Sequence, residues 1–311
     1  MENEILSEVD EVKAKKKKKK AQRGVTIFLC VMLAYPILEF LVSWIFVKFN
    51  TILMAFQLPT GEWSLLTFKA VFTDMFNTQA TFSLAVALRN TFLWLLVSIG
   101  SLFFHYFIAY VFYKKMLGTK FFRIVFYIPA ILSEVVVATV FKNFILTNGP
   151  LADIVRIFGI EQLPQLLADP DYANKMVFFY NFWTSWGGHM LLLGGALVRV
   201  PLEVIESARI DGVGVWRELV QILFPMTWGS FSTILILSFT GIFGVSNSVL
   251  MLTHGYNGTV TAGYWIFHKT YFEGASAYNQ VAATGLIFTV AGAIIALGVR
   301  WLVERIPAVE Y

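Results

Sequence analysis

An all-helical membrane protein with six spanning helices is the fold class this sequence predicts, on three observations. Of its 311 residues, 57% are hydrophobic and only 14% charged. A soluble domain runs nearer half apolar and about a quarter charged, so the surplus apolar side chains need lipid rather than a larger core. Six stretches approach the roughly 20 apolar helical residues that a bilayer core of about 30 Å requires, and none alternates as a barrel strand does. Finally, the basic residues fall unevenly on the two sides those stretches define. The aromatic content of 16% fits the same class, because Trp and Tyr favour the membrane–water interface.

Taken in order, the apolar runs are Val25 to Val47, Asn90 to Tyr113, Phe121 to Leu146, Met176 to Val198, Gly229 to Leu252 and Val281 to Val303. With the N-terminus inside, the inner segments hold Lys13, Lys15 to Lys20, Arg23, Lys114, Lys115, Lys120, Arg123, Arg199, Arg209, Arg217, Arg300 and Arg305, 17 of the 24 basic residues. The positive-inside rule therefore predicts both termini on the cytoplasmic side. Residues 1–24 read as a cytoplasmic basic tail against anionic lipid headgroups. The pI near 9 is then an orientation signal, and no nucleic-acid partner is expected. No small-residue cleavage site follows the first apolar run, which is expected to stay as an anchor. The single cysteine, Cys30, excludes an internal disulfide and a thiolate cluster; its apolar surroundings predict a small buried hydrophobe. The outer segments are longer. One of them predicts a short surface helix over Pro150 to Phe158, and their length suits a docking surface for an external partner.

The most informative stretch is residues 199–228, RVPLEVIESARIDGVGVWRELVQILFPMTW. Pro201 suits a helix start and Gly212 its end, with Leu202, Ile205 and Ala208 between them on one face. A second helix follows, its stripe of Trp216, Leu219, Val220 and Leu223 at i, i+3, i+4, i+7 spacing. Pro225 then marks the start of the fifth span. The pattern predicts two short helices joined at a glycine, with an apolar stripe that lies on its own membrane domain or fills a groove on a partner.

Glu206, Ser207, Ala208, Asp211, Gly212, Ile222, Phe224 and Pro225 resemble the EAA loop of binding-protein-dependent ABC importers, departing from it at Ser207 and Phe224. Asn90-Thr91, Phe122-Arg123 with Pro129, and Leu250 to Thr253 resemble further signatures of the sugar-type permeases, and Arg300 to Ile306 resembles the maltose-permease ending. The resemblance implies a type I ABC importer permease fold over 25–311 and transport of sugar or oligosaccharide. Glu206, Ser207, Ala208, Asp211, Gly212 and Trp216 would couple to an ATPase. Implied partners are a second permease subunit forming a heterodimer, two cytoplasmic ABC ATPase subunits and an extracellular solute-binding protein, in the lipid of a bacterial plasma membrane. The sequence has no G-x-x-x-x-G-K-[ST] loop, so ATP and magnesium are expected on the ATPase chains, with no cofactor and no catalytic residue here.

Intramembrane polar groups tend to face a cavity. Those suited to sugar are Asn181, Trp183, Ser185 and Trp186 in the fourth span, Ser246 and Asn247 in the fifth, and Glu134 in the third; Glu134 could instead pair with Lys142 or cap a broken helix, and Asn181 and Trp183 could be interface anchors. Gly187, Gly188, Gly194 and Gly195 suit close helix packing. The four histidines have no metal-ligand spacing, and His189 reads as a hydrogen-bonded packing residue. An ion-coupled secondary transporter would draw on Glu39, Glu134, His105 and His189 but leaves the EAA-type loop unexplained. A membrane enzyme lacks a nucleophile–base constellation. Glycerol phosphate or a uronic oligosaccharide would want buried cations, for which Lys142 is the one candidate.

Overall fold

The computed structural model describes residues 22–79, 82–116, 118–160 and 162–306; the Lys15 to Lys20 run, and so most of the predicted tail, lies outside the described residues. Among the described residues the regular structure is helical, apart from one isolated bridge between Gln57 and Trp63. The helices are α1 (Gln22–Ala55), α2 (Leu66–Phe76), α3 (Leu84–Tyr113), α4 (Thr119–Ile131), α5 (Glu134–Phe144), α6 (Pro150–Ile157), α7 (Pro170–Thr184), α8 (Trp186–Val198), α9 (Leu202–Ile210), α10 (Val215–Thr240), α11 (Asn247–Leu252), α12 (Ala262–His268) and α13 (Tyr278–Val303). Local chemistry explains several boundaries. Ser83 caps α3 by accepting from the Val86 amide at 3.3 Å, and Asp169 caps α7 by accepting from Asp171 at 2.9 Å, each satisfying a donor the helix start leaves free. Proline opens both α6 and α7, where its missing N–H costs nothing.

Among the described residues four helical runs are long and apolar enough to cross a bilayer, or up to six if each of two bent pairs is one span. The third predicted span is not one helix: α4 and α5 meet at 113°. Pro129 inside α4 removes a hydrogen-bond donor, and Ser133 adopts a non-helical ψ of 136°. The fifth is also interrupted. α10 starts at Val215, well before Gly229, and stops at Thr240; a short 3-10 turn, Ile242–Gly244, and a non-helical Val245–Ser246 then precede α11. This places Ser246 and Asn247 at a junction rather than inside a span. Gly263 of α12 approaches that junction so closely that an added Cβ would sit 2.7 Å from the Val245 carbonyl oxygen. The last helical run, from Ala262, breaks at Gly274 (φ +66°, ψ −148°), leaving α13 as the span.

Lys114, Arg199, Arg217 and Arg300 lie towards one end of the bundle, the basic end, where Lys114 pairs with Glu218, Arg199 reaches Ser230 and Trp228 donates to the Val303 carbonyl. Besides a small cluster of Phe112, Trp186 and Met190, two larger cores hold the bundle together. One, towards the far end, joins Leu84, Val177, Tyr180, Val249, Trp265 and Phe288; the other, towards the basic end, joins Leu102, Tyr106, Tyr110, Leu197, Ile205, Leu223 and Phe231. α1 is different: every residue from Gln22 to Phe49 is exposed, so Cys30 is not the buried hydrophobe its setting predicts. Among the described residues the first half of α1 has no neighbour to bury it.

Of the four glycines expected to permit close packing, only Gly187 does so. A Cβ there would collide with Ala130 of α4, whereas Gly188, Gly194 and Gly195 face open space. Gly187→Val is therefore expected to destabilise by about 1–3 kcal/mol through overpacking, and Gly194→Val by far less. Thermal unfolding of the two variants in detergent micelles compares them directly.

Candidate functional site

The stretch after α8 forms a compact handle at the basic end. α9 ends as the glycine spacing predicts, because Gly212 takes φ +72°. Its N–H donates to the Arg209 carbonyl at 3.1 Å, and the Val213 N–H to the Ala208 carbonyl at 3.0 Å, the two bonds of a Schellman stop. Pro201 precedes the helix as its cap rather than serving as its first residue. The second predicted short helix is not separate. It runs on into the span as α10, with a π-helical stretch over Glu218–Leu223. Pro225 explains the wider turn, since it cannot donate to the carbonyl four residues back.

The apolar stripe divides in two. Ile205, Ala208, Leu219 and Leu223 are buried against the chain's own helices, while Leu202, Ile210 (87% exposed), Val215, Trp216 (68%) and Val220 face outward. Of the residues expected to couple to a partner, Glu206, Ser207, Asp211, Gly212 and Trp216 are exposed. Ala208 is not; it faces the core and helps anchor α9. Trp216 also stacks on Phe107 of α3, with ring centroids 5.7 Å apart.

Sequence reasoning missed the residue beneath this handle. Glu218 is 3% exposed, its carboxylate 2.5 Å and 2.7 Å from Lys114 Nζ through its two oxygens. The only signal in the sequence was an acid inside an otherwise apolar helical face.

Nearer the far end, the α4–α5 break and the α10–α11 break face one another. Asn247 donates to the Glu134 carboxylate at 3.2 Å, and Asn181 donates to Ser248 Oγ at 2.9 Å and to its own helix's Val177 carbonyl at 2.7 Å. Glu134, Asn247 and Asn181 thus converge from α5, α11 and α7, Ser246 sits beside them, and Ser248 joins them although its type and spacing did not single it out. Glu134 binds Asn247 rather than Lys142, and its place in the first turn of α5 suits a carboxylate. Trp183 is half-buried and stacks on Phe141. Trp186 lies apart from them, buried in an aromatic nest of Phe104, His105, Phe126 and Phe182. A small crevice adjoins Asn181, lined by Trp94, Ser98 and Ser101 of α3 and by Ser185; the i, i+4, i+7 spacing of the three α3 residues could have marked that face. A larger cleft of about 640 Å³ lies elsewhere, between α1 and α13, and includes none of these residues.

The fold brings His105 and His189 together, with Nδ1 atoms 2.9 Å apart, as the packing role expected of His189 requires. Among the described residues no three potential metal ligands cluster.

No protein-family model matches the chain. In sequence it is similar to the probable ABC transporter permease protein YurN of Bacillus subtilis, 29% identical over 179 residues, covering 56% of this chain and 61% of that protein. It is also similar to the maltose/maltodextrin transport system permease protein MalF of Yersinia pestis, 28% identical over 206 residues, 60% of this chain and 38% of that one. The chain therefore spans less than two thirds of these relatives' length. In fold it matches a chain of a bacterial alginate ABC transporter solved with an alginate pentasaccharide-bound periplasmic protein, at a TM-score of 0.76 and 21% identity over 90% of this chain and 94% of that one. With its apolar helices, these likenesses make it an integral membrane protein.

Proposed function

We propose that this chain, whose sequence relatives and fold are those of ABC-importer permeases, is one membrane subunit of an ATP-driven, binding-protein-dependent importer of sugar or oligosaccharide. The observation that carries the reading is the divided stripe at the basic end. An apolar handle anchored on one side and exposed on the other is what a helix seated in another subunit's groove requires. In this reading the basic end is cytoplasmic, and α1, α3, α4–α5, α7–α8, α10 and α13 are six spans with both termini inside. Residues 25–311 are the permease domain and α9 lies outside the bilayer. Glu206, Ser207, Asp211, Gly212 and Trp216 meet an ATPase that holds ATP and magnesium, a second permease completes a heterodimer in the bacterial plasma membrane, and an external binding protein delivers cargo at the far end. Cysteine placed at Glu206 or Trp216 should crosslink to an ATP-hydrolysing subunit in native membranes; no capture at either position would remove the importer reading.

For the cargo, Glu134, Asn247, Asn181, Ser246 and Ser248 offer hydrogen bonds around one carboxylate, with Trp183 nearby as an aromatic surface. A carboxylate at that point repels a uronate, which favours a neutral sugar over an acidic one. Asn247→Ala should lower sugar uptake by about fivefold, the equivalent of roughly 1 kcal/mol for one hydrogen bond. Uptake of radiolabelled maltooligosaccharide in proteoliposomes, with oligoalginate as competitor, measures both points: competition by oligoalginate would overturn the neutral-cargo reading.

A further inference from the structure

α3 is fastened at both ends to parts of the chain that belong to different faces of the protein. At the basic end, Glu218 takes the Lys114 ammonium on both oxygens, and the Tyr110 hydroxyl donates to Oε1 at 3.4 Å. One turn away Phe107 stacks on Trp216 of the handle, and further along the Tyr106 and Thr227 hydroxyls lie 2.9 Å apart. Three successive turns at the C-terminal end of α3, Lys114 being its cap, therefore grip the first turns of α10. At the far end, the buried Asn90 amide donates to the carbonyls of Gly258 and Val260 at 2.6 and 2.8 Å, and the Thr91 hydroxyl accepts from the Ala262 N–H at 2.9 Å. α3 is unbroken over its 30 residues, without proline or a π turn, and the attachments from Asn90 to Lys114 lie about 36 Å apart at the helical rise.

A stiff rod bonded at one end to the handle and at the other to the far loop moves both or neither. A buried ion pair is a poor source of stability but a strict one in geometry, since removing one partner strands the other charge. We propose that the Lys114–Glu218 pair locks α3 to the coupling segment. α3 then carries displacement between the ATPase face and the 254–262 loop, so that docking of a binding protein at the far end reaches the ATPase. Lys114 and Glu218 are positioning residues in this scheme. The proposal rests on the importer reading above.

The test uses the full complex in lipid nanodiscs: this chain, its partner permease, the ATPase subunits and the sugar-loaded binding protein. Stimulation of ATP hydrolysis by the binding protein in the unsubstituted complex tests the importer reading itself; its absence counts against that reading and not against the relay. Given stimulation, Lys114→Met combined with Glu218→Met, which leaves no stranded charge, should assemble and keep basal hydrolysis within about twofold while losing stimulation by about fivefold or more, a change of roughly 1 kcal/mol in coupling. Lys114→Arg, which keeps the pair, should retain stimulation. Full stimulation in the double Met variant, or equal loss in Lys114→Arg, would overturn the relay.

Discussion

Substituting proline for Gly212 is expected to abolish ATP-dependent uptake while membrane insertion persists. The residue sits at φ +72°, a region proline cannot reach because its ring holds φ near −65°. The substitution also deletes the N–H that closes the end of α9 on the Arg209 carbonyl. The two losses together cost about 3 kcal/mol or more locally. That exceeds what the small anchor of Ile205 and Ala208 can absorb without the handle shifting, so α9 should leave its presented position. Gly212→Ala grades the effect: it keeps the N–H and carries only the left-handed strain of about 1–2 kcal/mol, so uptake should fall partway. Glu206→Lys, exposed and away from the turn, should also reduce uptake, through the interface rather than through the fold. Uptake in inverted or reconstituted vesicles, normalised to the amount of inserted protein, measures all three. Unchanged uptake in Gly212→Pro would remove the handle from the mechanism.

Asn90→Ala should be the most damaging single change at the far end. Asn90 is 0% exposed, and its amide satisfies two backbone carbonyls of the loop before α12 while its oxygen accepts from Asn174 at 3.2 Å. Gly258 keeps a bond from Asn174 at 2.9 Å, so the substitution strands the Val260 carbonyl and leaves a hole, for about 2–4 kcal/mol in all. The loop it holds is already strained: His254, Gly255, Asn257 and Gly258 all have positive φ, which for His254 and Asn257 has a steric cost. Loss of the anchor should therefore show first as faster proteolysis between His254 and Gly258, and then as a lower unfolding temperature in detergent. A thermal midpoint within about 1 °C of the unsubstituted protein would contradict this account.

Much of the handle was legible before any coordinates. Pro201, Gly212 and the heptad-like apolar spacing act over one or two turns, and the Schellman stop at Gly212 forms from neighbours in sequence. What the spacing left open was which half of the stripe would be buried. That depended on α3, whose Tyr106, Tyr110 and Phe107 arrive from a hundred residues away to cover Leu219 and Leu223 and to leave Val220 exposed. The burial of Ala208 was out of reach of the spacing for the same reason. The far-end residues divide likewise: Asn181, Asn247 and Glu134 stand out in sequence as polar groups in apolar runs, but that Glu134 meets Asn247 and that Trp186 packs in an aromatic nest depends on packing.

The composition and the charge bias by themselves determined that this protein is a bundle of apolar helices with one basic end, and local turn chemistry determined where its exposed handle bends. Both are set by transfer free energy and backbone sterics, which each residue carries wherever it lies. Only the tertiary structure decided that two of the predicted spans are interrupted, that Glu134 meets Asn247 at those interruptions, and that Lys114 and Glu218 pair under the handle. A hydrogen bond or an ion pair acts over about 3 Å, so partners more than a hundred residues apart become neighbours only once the chain is packed.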